Sequence, residues 1–163
     1  MSAREKGRNE APKNPAPPVR TAESELKMRH LRFGWLLMLV CLTFGILLES
    51  FHGFKVGWYL DLSNSTRRLM FRLAHSHGTL LGLVNVAFAL TLPHLPEWDA
   101  GRRRLAGWCL MAASLLIPGG FFLGGLVVYG GDPGLGIFLV PVGAILLFTA
   151  VLLTARAAAS RAC

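Results

Sequence analysis

Four long apolar blocks, separated by short polar stretches, set the pattern of this chain. Residues 33–48 carry no charge and a single Thr, and residues 80–92 are interrupted only by Gly82, Asn85 and Thr91. Residues 105–129 and 135–154 contain no charged side chain at all. With its flanks, each block reaches the roughly 20 residues that cross a ~30 Å hydrocarbon core at ~1.5 Å per residue. A wholly buried helix of a soluble protein accounts for one such block but not for four. The pattern predicts an all-α membrane protein, with helices over about 31–54, 67–92, 105–129 and 135–156. Short connections favour antiparallel neighbours, hence a four-transmembrane-helix, up-down-up-down bundle.

The segments between the blocks refine this picture. Residues 1–28 hold Pro12, Pro15, Pro17 and Pro18 among charged and small residues. Such a segment buries too little apolar surface to offset its ordering entropy, so a disordered cytoplasmic tail is expected, with 29–163 forming the transmembrane domain. No apolar run follows the first basic residues, so no cleavable signal peptide is expected. Phe51, Phe54, Trp58 and Tyr59 form an aromatic cluster suited to a headgroup boundary. Pro93 and Pro96 end the second helix, Pro118-Gly119-Gly120 interrupts the third, and Pro141 lies inside the fourth.

Charge sets the orientation. The formal net charge is +8, yet only 16% of the residues are charged, against about a quarter in ordinary soluble domains. Thirteen of the 17 Lys and Arg residues lie in the tail or just after it at Arg29 and Arg32, at Arg102-Arg103-Arg104, or at Arg156 and Arg161. Lys55, Arg67, Arg68 and Arg72 alone fall at the other side. This is the positive-inside bias, and it predicts both termini on the cytoplasmic face of an inner (plasma) membrane. Anionic phospholipid at that face is the natural partner of the charge, and nucleic acid is not needed to explain it. Other membrane subunits or a second copy of the chain remain open as partners. Cys41, Cys109 and Cys163 form no C-x-x-C or zinc spacing, and Cys163 is too near the end for a prenylation box.

Chemistry concentrates in one slab. His75 and His77 sit in the first turns of the second helix, about 9 and 12 Å below the external hydrocarbon edge. Glu49 lands about 6 Å below that edge and His52 close to it. Glu49 and His52, three apart, share a helix face and form an E-x-x-H pair. With His75 they make a candidate three-ligand site for a transition metal ion, with an open position. Histidines on different helices offer the alternative of axial haem b ligation. His75 and His77 are about 200° apart on a regular helix and do not serve one site together. His75 shares its arc with Gly78, Gly82 and Asn85, and is the favoured inward residue.

Plainer roles stand beside each of these. Glu49 pairs with Arg72 or Lys55 in an interfacial ion pair, His52 bonds water, and His75 makes a helix-to-helix hydrogen bond. Asn85 reads as interhelical glue. His30 and His94, at the inner boundary beside basic residues, are assigned no chemistry. There is no phosphate-binding loop or nucleophile elbow, and the polar residues stay at one side, against a transport path.

Ala74-His75-Ser76-His77-Gly78, with Gly82, resembles the A-H-x-H-G-x-x-x-G helix of bacterial nitric oxide reductase large subunits and other haem-copper proteins. The resemblance implies that His75 and His77 bind a cofactor in a redox process. In size and Ala-His context the chain is also similar to hydroxylaminobenzene mutase, which implies a small membrane isomerase. The first expectation is thus a metal- or haem-binding protein of redox or respiratory role. The second is a non-enzymatic structural or assembly subunit, and the third an isomerase of the mutase kind.

Overall fold

The computed structural model describes residues 21–61, 65–95 and 97–160. It is a helical bundle of α1 (Ala22–Gly53), α2 (Gly57–Leu60), α3 (Ser65–Thr91), α4 (Ala100–Leu126) and α5 (Leu139–Ala159). Among these residues four helices are long and apolar enough to cross a membrane, the last extended by the 3₁₀ turn Leu135–Phe138.

Close approaches between helices fix their directions. Gly34 of α1 lies against Gly82 and Val86 of α3, Cys41 against Gly78, and His75 against Gly45, so α1 and α3 run antiparallel. Met70 and Phe71 of α3 meet Gly125 of α4, while Asn85 meets Ser114. Val140 of α5 meets Gly120 and Ile117 meets Gly143. Each pair in the sequence α1, α3, α4, α5 is therefore antiparallel. Both described termini and the α3–α4 connection gather at one end, the terminal end. The α1–α3 and α4–α5 connections gather at the other, the hairpin end.

Small residues permit this packing. A Cβ at Gly34 would lie 2.6 Å from the Gly82 carbonyl oxygen, a backbone atom that cannot move aside. Such contacts are the usual basis of helix association in lipid, where no hydrophobic force drives helices together. Apolar clusters fill the rest: Leu26, Phe88, Leu92 and Leu110 at the terminal end, Leu81, Ala113 and Ile117 in the middle, Leu48, Tyr59 and Phe71 at the hairpin end.

Three features differ from the sequence reading. α1 starts at Ala22, so residues 22–28 are helical rather than part of a tail. Thr21 caps it by accepting from the Ser24 amide at 3.2 Å, Leu26 is buried, and Glu23 meets Arg103 at 2.7 Å. Residues 1–20, where the remainder of the expected tail falls, lie outside the described residues. α4 passes through Pro118-Gly119-Gly120 without a break. Pro141 falls in the first turn of α5, where no intrahelical N–H bond is lost.

The hairpin end is tied together by its connections. Gly130 and Gly131, with φ of 55° and 97°, turn a short β-hairpin, β1 (Val128–Tyr129) against β2 (Asp132–Pro133). Positive φ at both central positions suits glycine. Arg67 reaches from α3 to the Gly125 carbonyl at 3.3 Å and the Trp58 carbonyl at 3.1 Å, with its guanidinium 4.5 Å from the Trp58 ring centre.

Candidate functional site

A cleft of about 880 Å³ opens at the hairpin end between α1, α2 and α3, lined by Glu49, His52, Tyr59, Arg68, Arg72 and His75. α1 supplies Glu49 and His52 on one face. α3 supplies Arg68, Arg72 and His75 from successive turns, and these share a face for the same reason, spacings of three and four. α2 closes one side with Tyr59, which is buried against Leu48 and Phe71 with its ring 5.9 Å from that of Phe51. Burial pushes the Tyr59 phenol above its ordinary range; Arg72 and Arg68 pull the other way, and Glu49 adds to the rise. Tyr59 is therefore a neutral hydroxyl facing a cationic wall. Among the described residues, Arg68 and Arg72 form no ion pair with Glu49, nor does Lys55.

His75 is held from behind. Its Nδ1–H donates to the Cys41 carbonyl at 2.7 Å, and its ring occupies the space left by Gly45, where a Cβ would overlap it. The bond to a carbonyl fixes Nδ1 as the donor nitrogen. Among the described residues Nε2 has no hydrogen-bond partner and it is not fully buried, so it is the ring nitrogen left for a ligand, and the His75 side chain lines the cleft.

His77 points elsewhere. Its Nδ1–H donates to the Leu73 carbonyl at 2.9 Å, and its ring centre is 5.0 Å from that of Phe121 on α4. The two histidines diverge as the helical rotation requires, one onto α1 and the other onto α4. They do not converge on a common cofactor.

The expected three-ligand centre is not assembled. Glu49, His52 and His75 do line one cleft, as their common depth suggested. Among the described residues, however, no group of three or more His, Cys, Asp or Glu is arranged to hold a metal ion. Glu49 and His52 are exposed, while the Cys41 carbonyl draws His75 back onto α1. A separate groove of about 340 Å³ lies beside Pro118 and Gly119 between α1 and α4; apart from Ser114 its lining is apolar or Cys41, and no histidine lines it.

A second polar constellation joins three helices. His30, Asn85 and Ser114 are each 0% exposed. Asn85 Nδ2 uses its hydrogens on the Leu81 carbonyl and on Ser114 Oγ, both at 2.8 Å, and the Ser114 hydroxyl donates to the Leu110 carbonyl at 2.7 Å. Asn85 Oδ1 must then accept, and it does so from His30 Nδ1–H at 2.8 Å. The donor order runs from His30 through Asn85 and Ser114 to a helix carbonyl. His30 Nε2 is left a buried acceptor with no partner, over Gly107, where a Cβ would lie 2.8 Å away. The His30 ring meets Phe88 edge-on at 4.7 Å.

Sequence reasoning found Asn85 but gave His30 no partner, because the helix start was set at Leu31. Asn85 and Ser114, each set within an uncharged apolar stretch, are the available signal, since a polar group in lipid requires a partner. For Arg68 and Arg72, the spacing that sets them on the His75 face is the signal that they line its cleft.

No protein-family model, curated protein or solved structure matches this chain.

Proposed function

We propose that the hairpin-end cleft is the working site of this integral membrane protein, and that it receives an amphiphilic organic anion. One observation carries the reading: Arg68 and Arg72, without ion-pair partners among the described residues, share a cleft with the available Nε2 of His75. The arginines hold a carboxylate or phosphate through charge-assisted bonds. Leu48, Leu69 and Leu73 supply apolar wall for the attached body. The volume lies within the roughly 300–1,000 Å³ of small-molecule sites. His75, oriented by the Cys41 carbonyl, is the group suited to take or return a proton at Nε2, with Tyr59 as a neutral donor. This replaces a metal or haem centre as the best reading, since His75 and His77 diverge and no three-ligand cluster forms among the described residues.

A non-enzymatic assembly role is the second reading. The buried His30–Asn85–Ser114 chain favours it, because that network joins three helices and ends on a helix carbonyl. We also infer insertion in the plasma membrane with both termini cytoplasmic and anionic headgroups against the terminal end. Lys27, Arg29, Arg32, Arg102, Arg103, Arg104 and Arg156 at that end support this.

The test is titration calorimetry of the full chain in nanodiscs, with empty nanodiscs subtracted, using dodecanoate, dodecylphosphate and dodecanamide. The two anions are expected to saturate one site, at least ~10-fold more tightly than the amide, and to lose it in Arg68→Gln/Arg72→Gln. Equal binding of the amide, or unchanged binding by the double variant, overturns the reading.

A further inference from the structure

The terminal end carries another polar cleft, of about 630 Å³, between the α3–α4 connection, the first turn of α4 and the last turns of α5. Glu97, Trp98, Asp99, Arg102 and Arg156 line it. The charges balance, two carboxylates against two guanidinium groups. Among the described residues none of the four is ion-paired with another. Asp99 is fixed in place, because one carboxylate oxygen accepts from the Arg102 amide at 2.9 Å and caps α4. Among the described residues its other oxygen and the Glu97 carboxylate have no partner, which leaves them to an external donor. Trp98 is fixed too, its ring 6.1 Å from that of Phe88. Glu97, Arg102 and Arg156 are exposed.

We propose that this cleft seats the headgroup of one phospholipid bearing both a phosphate and a primary ammonium. Position and charge together select this occupant. The cleft lies where α4 and α5 end their apolar spans, at the level of headgroups, and a tryptophan is the residue type that favours that level. Arg102 and Arg156 match a phosphate; Glu97 and Asp99 match an ammonium that can donate three hydrogen bonds. A purely anionic headgroup satisfies the arginines but sets its charge against two carboxylates. A trimethylated headgroup carries the right charges but has no N–H to donate. The site thus discriminates among lipids, unlike the diffuse attraction of the surrounding basic residues for anionic membranes. It is independent of the hairpin-end cleft and of the function proposed for it.

The experiment is native mass spectrometry of the full chain, delipidated in mild detergent and titrated with dioleoyl phosphatidylethanolamine, phosphatidylcholine or phosphatidylglycerol. Phosphatidylethanolamine is expected to occupy one position about tenfold more tightly than phosphatidylcholine. Glu97→Gln, an exposed and fold-neutral change, should bring that ratio toward one. Arg102→Gln/Arg156→Gln should abolish the tight position, while Arg156→Lys retains part of it. Circular dichroism of each variant separates loss of binding from loss of fold. Equal occupancy by the three lipids, tighter binding of phosphatidylglycerol, or unchanged phosphatidylethanolamine binding in the folded double-arginine variant overturns the proposal.

Discussion

Replacing Asn85 with Ala should cost this protein about 1–3 kcal/mol. Asn85 makes two interhelical hydrogen bonds, to His30 of α1 and Ser114 of α4, each 2.8 Å long. Interhelical side-chain bonds in membrane proteins average about 0.6 kcal/mol and reach about 1.7. Two of them span the stated range, and truncation also leaves Ser114 and both nitrogens of a fully buried imidazole without side-chain partners. The quantity to measure is unfolding free energy in mixed detergent micelles for wild type, His30→Ala, Asn85→Ala and the double variant. The cycle should return a coupling of about 0.6–1.7 kcal/mol, because the singles break the same bond. The donor order adds a finer expectation. Ser114→Ala costs less than Asn85→Ala, since it removes the end of the chain and leaves the His30 bond intact. The reasoning is refuted if Asn85→Ala changes stability by less than about 0.3 kcal/mol, or if the two positions are additive within that margin.

Gly34→Ala should destabilise the bundle by about 1–3 kcal/mol, because its Cβ would lie 2.6 Å from the Gly82 carbonyl oxygen. Gly119→Ala, with open space at its Cβ, should leave the melting temperature unchanged or slightly raised. Arg67→Ala loses bonds to the Gly125 and Trp58 carbonyls and the Trp58 ring contact, and should cost about 2 kcal/mol in a thermal melt. Tyr59 gives a pH dependence of defined sign. Its folded-state pKa is raised by burial, so the folded chain keeps the phenolic proton longer than the unfolded one. That contribution is complete below about pH 10 and is lost as pH rises through the folded value. Melting temperature should fall more steeply above about pH 10 in wild type than in Tyr59→Phe; parallel curves contradict the assignment.

The four spans were legible because lipid demands long uncharged runs, and composition alone carries that information. The N-terminal turns of α1 were not. Glu23 and Lys27 look like tail residues, and Arg29 like a charge at its edge, until Arg103 and the Trp108 ring, 5.0 Å from the Arg29 guanidinium, are placed beside them. That offset, a helix start at Ala22 instead of about residue 31, left His30 outside the span and hid the three-helix polar chain. The common depth of Glu49, His52 and His75 was legible from residue counting, and these side chains do share a cleft. Their mutual orientation was not legible. It depends on the Cys41 carbonyl and the missing side chain of Gly45, which pull His75 toward α1. The rotation between His75 and His77 followed from helix geometry, but Phe121 as the neighbour of His77 did not.

The cleft's role is tested most directly by ¹⁵N NMR of the full chain in nanodiscs, with histidine side chains and arginine Nε labelled, during titration with dodecanoate. Saturable shifts of the His75 ring and of the Arg68 and Arg72 Nε signals, with His30 and Arg67 unmoved, are the predicted result. Shifts spread evenly over all histidines and arginines, or no shift at His75, Arg68 and Arg72, would contradict it.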